Sequence, residues 1–184
     1  MDFQKRIKKQ LSSKRYEHSV RVAETAVKLA RLHGCDEEKA EIAGLLHDYC
    51  KEYPKEEQVR IAVEQHLLSS REDLLMPQVL HGPVASYILK QEGLVDDESV
   101  LQAVRYHTTG HPDMDTLAKI IFIADYIEPG RKTPNIDDLF DIAARDLDEC
   151  VVEIVDRTTV YLIGKRQVIH EDMIKLRNRI LSKE

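Results

Sequence analysis

The sequence predicts an all-α protein, built as a succession of helices with short joints. Three observations predict it. Only 7 Gly and 6 Pro interrupt 184 residues. Apolar residues recur at helical spacing in one segment after another, and most segments open on a Ser or Asp suited to capping a helix. There is no internal repeat, low-complexity tract or Pro/Gly/Ser-rich linker, so residues 1–184 are expected to form one domain.

Ser12 or Ser13 caps the first expected helix, which carries Val20, Ala23, Val27 and Ala30 and stops at Gly34, with His18 in its first turns. Asp36 caps a second, with Ala40, Ala43, Leu46 and Cys50 on one face and Pro54 at its end. His47 and Asp48 are expected near the end of that helix, about 100° apart around its axis. Both can lean toward one point only beside a groove. After Pro54 a third helix turns Val59, Ala62 and Val63 inward, and the segment SSREDLLMPQ is less regular. From Leu80 a fourth begins, with Pro83 in its first turn, Gly93 past its end and His81 just before it. Asp96 or Asp97 caps a fifth, in which Val100, Val104 and His107 share a stripe that Thr108, Thr109 and Gly110 break.

The sixth segment, LAKIIFIADYI, is the most hydrophobic and carries Asp125 among Ile120, Ile121, Phe122, Ile123 and Ala124. A carboxylate in such surroundings is costly unless a cation compensates it. The loop EPGRKTPN turns the chain, and helices follow at about 136–147, 148–164 and 171–182, the last preceded by His170.

Composition narrows the function. A net charge of −6 argues against broad nucleic-acid binding, although a bound metal and a few local cations can still hold a small polyanion. No stretch reaches the roughly 20 apolar residues of a bilayer span, and no apolar run follows the charged N-terminus, so an unprocessed cytoplasmic protein is expected. Cys35, Cys50 and Cys150 have unrelated spacings and no CxxC pair, which reads as reduced, structural thiols.

Taken singly, a buried His or a His-Asp pair is ordinary core. Joined in the order His18, His47-Asp48, Asp125, each in an apolar helical setting, they form a mixed nitrogen and oxygen ligand set for a divalent transition metal. That order resembles the H…HD…D signature of the HD-domain phosphohydrolase superfamily, across nearly the whole chain. The strings YEHSVRVA, AGLLHDYCKEY, LHGPVAS, VRYHTTGH and IFIADYIEPGR resemble, within it, the YqeK-type symmetrical diadenosine tetraphosphate hydrolases. The resemblance implies an HD-domain helical bundle with a metal core at about 13–130 and C-terminal helices at about 136–182. It implies first-metal ligands at His18, His47, Asp48 and Asp125, with His81 and His107 either completing a second metal position or contacting phosphate. It also implies one or two iron ions; manganese, cobalt or nickel would suit the same donors.

A metal-bound water is then the expected attacking group, with His81 and His107 as candidate acid/base or phosphate donors. Lys51, four residues after His47, and Arg131, with its planar fork, are expected to meet phosphate. Thr108 and Tyr126 adjoin site residues, and His170 stands at a helix N-terminus, so these three are further candidate nucleotide contacts. Substrate and product would be diadenosine tetraphosphate and ADP, without nucleic acid or membrane, in a chain whose C-terminal helices could pair two copies. The alternatives are a mononucleotide phosphohydrolase and a non-catalytic nucleotide-binding regulator.

Overall fold

A computed structural model describes residues 2–132 and 136–182; Thr133, Pro134 and Asn135 of the expected turn lie outside the described residues. Among the described residues there is no strand. Eleven helices follow in order: α1 (Phe3–Gln10), α2 (Ser13–Leu32), α3 (Glu37–Leu46), α4 (Lys55–Glu64), α5 (Glu72–Leu75), α6 (His81–Gln91), α7 (Glu98–Tyr106), α8 (Thr116–Ile127), α9 (Ile136–Arg145), α10 (Leu147–Gly164) and α11 (Glu171–Leu181). A 3-10 turn at Pro77–Val79 leads into α6.

The local chemistry sets these limits. Ser12, Asp36, Asp97, Asp115 and Asp146 each accept a backbone N–H of the first turn they precede, satisfying donors the helix leaves open. Gly34, Gly93 and Gly110 follow helix ends at φ +64°, +62° and +70°, where a side chain would be strained. The expected break between 147 and 148 falls instead at Asp146, because that residue caps α10.

Helix α8 is the central element, packing on α2, α3, α7, α9 and α10. Ile120, Ile121 and Ile123 are fully buried on it, as expected of a helix that is apolar all round. The most extensive pairing is α2 with α3. It is close because Gly44 has no side chain: a Cβ there would stand 2.6 Å from the Ala23 Cα. Gly82 does the same for α6 and α7, since its Cβ would lie 2.8 Å from the Arg105 carbonyl oxygen. These two contacts bring the end of α3 against the middle of α2 and the start of α6 against the end of α7. No described helix is long and apolar enough to cross a membrane.

Three expectations need correction. Val63 is 47% exposed; Ala62 is buried and Val59 packs against the core as expected, and Gln58 and Ile61 complete the buried face of α4. Helix α1 is absent from the pattern read above; its apolar content is thin, and Ile7 is its one buried residue. The third correction concerns the His-Asp pair. Helix α3 ends at Leu46, and the chain continues through tight turns in which Tyr49, Lys51 and Tyr53 N–H groups donate to the carbonyls of Leu46, Asp48 and Cys50.

Candidate metal centre

His18 comes from the second turn of α2, His47 and Asp48 from the turns after α3, His81 from the first residue of α6, His107 from the end of α7 and Asp125 from the last turn of α8. His81 thus lies inside its helix rather than before it. The structure brings all six together. Five are buried, and Asp125 has 21% of its side chain exposed.

The protons on the four rings can be placed from their neighbours. His47 Nδ1 donates to the Gly44 carbonyl at 2.7 Å, His81 Nδ1 to Gln78 at 2.8 Å and His107 Nδ1 to Val104 at 2.7 Å. His18 Nδ1 donates to the Glu128 carboxylate at 3.1 Å. A carbonyl or carboxylate oxygen only accepts, so in each neutral ring Nε2 is left as a bare lone pair. These lone pairs face one another: His18 Nε2 is 3.2 Å from His47 Nε2, and His81 Nε2 is 2.9 Å from His107 Nε2. Two bare acceptors at such distances repel unless a cation lies between them.

Carboxylate oxygens close both groups. Asp125 Oδ1 is 3.0 Å from His18 Nε2 and 3.8 Å from His47 Nε2, while Asp48 Oδ2 is 3.6 Å and 3.3 Å from the same atoms. The other oxygen, Asp48 Oδ1, is 3.1 Å from His81 Nε2 and 3.7 Å from His107 Nε2. Donors bound at about 2.0–2.2 Å around a transition metal stand roughly 3–4 Å from one another, so the separations fit a bound ion. His18, His47 and Asp125 form one group able to hold a metal, and His47, Asp48 and His107 form a second.

The field inside the site favours positive charge. Burial alone would raise the Asp48 pKa, but the neighbouring His47, His107 and His81 rings hold it well below the ordinary carboxylate value. Asp125 is likewise held low: burial is outweighed by the His18 hydrogen bond and by the charges of His47 and Arg131. For His47, Asp48 outweighs burial and raises the pKa, whereas burial pushes His81 down to about 4 and keeps its ring neutral.

Cations ring the centre. Arg15 Nη1 donates to Asp48 Oδ2 at 2.7 Å. Arg131 pairs with the Asp125 carboxylate through Nη2 and donates from Nε to the Asp125 carbonyl at 2.8 Å. Lys51 Nζ is 3.3 Å from His81 Nε2, and burial lowers its pKa. Thr108 Oγ1 lies 3.1 Å from His107 Nε2 and 3.3 Å from His81 Nε2. Beside them is a cavity of about 210 Å³, lined by Thr108, Phe122, Tyr126 and Arg131 together with Ile154 and Met173 of α10 and α11.

His170 has other partners. Its ring is fully buried, with Nε2 3.0 Å from Asp73 Oδ1 and 3.3 Å from Ser70 Oγ, while Nδ1 accepts the Asp172 N–H at 3.2 Å. It caps α11 and ties it to the segment before α6. Two residues escaped the sequence reading. Arg15 precedes His18 by three and so shares its helix face, and Glu128 follows Asp125 by three, immediately before Pro129. Those spacings were the available signals.

Residues 15–130 match the HD domain family. The chain belongs to that family. It is 45% identical over 175 residues to the symmetrical bis(5'-nucleosyl)-tetraphosphatase of Staphylococcus aureus (strain NCTC 8325 / PS 47), covering 93% of this chain and 89% of that one. To the protein of the same name from Bacillus subtilis (strain 168) it is 40% identical over 180 residues, covering 96% and 94%. Among solved structures it resembles a predicted HD superfamily hydrolase involved in NAD metabolism from Clostridium acetobutylicum, with a TM-score of 0.94 at 39% identity, covering 99% and 96% of the two chains. The HD-domain match spans all six residues of the centre; Ile154 and Met173, on the wall of the cavity, lie beyond it.

Proposed function

We propose that this chain hydrolyses diadenosine tetraphosphate symmetrically, giving two ADP, at a metal centre held by His18, His47, Asp48 and Asp125. The observation that carries the reading is the likeness, at 40–45% identity over most of both chains, to enzymes named for this reaction. The paired bare imidazole nitrogens support the metal, and the mixed nitrogen and oxygen donors suit iron, manganese, cobalt or nickel. Iron is the metal of this proposal. His81 and His107, with Asp48 Oδ1, are the donors for a second ion.

A bound divalent metal would polarise a phosphoryl oxygen and lower the pKa of its water. The protein's own groups do the rest. Arg131, Lys51 and Arg15 stand where they can neutralise charge on phosphoryl oxygens, which is where preorganised cations act most strongly. Thr108 offers a hydroxyl donor. Phe122, Tyr126, Ile154 and Met173 give the cavity apolar walls suited to a nucleoside. Water adds across the bond between the two central phosphates; its oxygen ends on one ADP, and the other ADP leaves with the bridging oxygen.

The chain is proposed to act as one domain, a reading supported by a core cluster that runs from Ile7 to Leu176. A cytoplasmic setting is supported by three free cysteines, two of them buried with their pKa pushed up to about 12 by burial. Val160, Tyr161 and Ile163, exposed near the end of α10, support a homodimer. The deciding experiment is hydrolysis of diadenosine tetraphosphate in ¹⁸O-labelled water. Two ADP are expected, with label in a terminal phosphate; AMP and ATP in equal amounts would overturn the symmetrical reaction.

A further inference from the structure

Helix α8 stops at Ile127 because Glu128 precedes Pro129, and a residue before proline is driven out of the helical region. Glu128 has φ −56° and ψ 144°, and its side chain turns back into the protein with 2% exposure. Three donors meet it there. His18 Nδ1 donates to Oε1 at 3.1 Å, and Arg21 Nε and the Gly130 N–H both donate to Oε2 at 2.6 Å. Arg21 can lie flat on the loop because residue 130 is glycine: a Cβ there would be 2.5 Å from Arg21 Nη2.

The consequence bears on His18 alone among the four histidines. His47, His81 and His107 are each fixed by a carbonyl three residues earlier in their own segment. His18 lies within α2, where the local carbonyls are engaged in the helix, so the partner for its Nδ1 comes from 110 residues away. A neutral imidazole without a partner divides its proton between two nitrogens, and only one of those forms can ligate through Nε2. A carboxylate behind the ring settles the choice and raises the basicity of the ligating nitrogen.

We infer that Glu128 is a positioning residue of the metal centre: it holds the His18 proton on Nδ1 and aims Nε2 at the ion, while Arg21 and Gly130 hold the carboxylate in place. This inference rests on the reading of His18 as a ligand. It separates Glu128 from Asp125 in role, though both belong to the same turn of chain. Arg21 is then a structural cation committed to Glu128, unlike Arg15 and Arg131, which face ligand carboxylates.

The test uses full-length protein stripped of metal by a chelator and titrated with manganese(II) alone, beside nitrogen NMR of the ¹⁵N-histidine-labelled, metal-free protein. Glu128→Met fills the volume without an acceptor and is expected to weaken manganese binding by roughly ten- to a hundredfold. In the same variant the His18 nitrogens should lose the pattern of a ring protonated at Nδ1. Glu128→Gln keeps an acceptor oxygen, so it should retain that pattern and recover most of the affinity; if the Met variant does not fold, Glu128→Ala, which also lacks an acceptor, carries both measurements in its place. Manganese affinity equal to wild type in both variants, or an unchanged His18 pattern in Glu128→Met, overturns the inference. His18→Ala separates the two layers. If that variant binds manganese like wild type, the ligand reading fails; if it binds weakly while the Glu128 variants do not, only the role of Glu128 fails.

Discussion

Asp48 occupies the densest set of contacts in the site. One oxygen faces His18 and His47 and accepts from Arg15, and the other faces His81 and His107. Asp125 faces only the first group and is partly open to solvent. Replacing Asp125 with Ala is therefore expected to abolish turnover and lower metal content while leaving far-UV circular dichroism close to wild type. Elemental analysis of protein purified without chelator checks this, and full metal with full turnover would remove Asp125 from the centre. Arg131 makes a different case. It touches a proposed ligand but has 39% of its side chain exposed, so it can turn to a phosphate. Arg131→Ala is expected to cut kcat/KM by roughly ten- to a thousandfold, the range for losing a group that meets charge developing in the transition state. Steady-state kinetics at matched metal content measures it, and near-wild-type values would exclude the role.

Helix α11 is held at its start by His170 rather than by a surface residue. Burial lowers the pKa of that ring, but the hydrogen bond it donates to the Asp73 carboxylate and the charges of Asp73, Asp172 and Glu72 more than offset this, so the His170 pKa is raised; Asp73 is held low in return. A raised histidine contributes stability that is present below its unfolded pKa, near 6.5, and is lost as pH climbs through the folded value. The lowered Asp73 contributes above its ordinary value of 3.8 and is lost as pH falls through the folded one. His170→Asn, which keeps a capping oxygen, should therefore cost more stability near about pH 5.5 than near about pH 8.5. Urea melts at the two pH values decide it; an equal loss would refute the pH-linked contribution of His170. Between α2 and α3, Gly44→Ala should cost about 1–3 kcal/mol, because the added methyl meets backbone that cannot yield.

These elements also mark how far the sequence could be read. Caps at Ser12, Asp36 and Asp97 and stops at Gly34 and Gly93 are local chemistry, and they were legible from local sequence. The departure of His47-Asp48 from helix α3 was not, since nothing before Pro54 breaks the helical pattern. It arises where Asp48 meets, besides the ring of His47, three rings from other elements. Likewise Glu128 was hidden because its partners, His18 and Arg21, lie more than a hundred residues away. The order of His18, His47, Asp48 and Asp125 survived as a signal because it depends on residue type and not on register.

At the scale of the whole molecule, the centre exists only where α2, α6, α7, α8 and the turns after α3 meet. An unfolded chain scatters its donors, so the native state binds a cation far more tightly than the denatured one. Folding and metal occupancy are then linked by mass action, with a gain of about 2.7 kcal/mol at a free ion concentration a hundred times the dissociation constant. For a chain of this length that corresponds to roughly 5–11 °C in melting temperature. Calorimetry of metal-free protein against increasing manganese should show this logarithmic rise, and His47→Ala should flatten it. The facing nitrogens of His18 with His47 and of His81 with His107 give the effect a further source. Two bare lone pairs at those separations attract a cation and repel each other without one, so an ion held between them stabilises the packing of the elements that carry them. Chelation would thus do more than silence the enzyme: it would leave a repulsive knot at the convergence of five elements, and opening of the native structure should begin there.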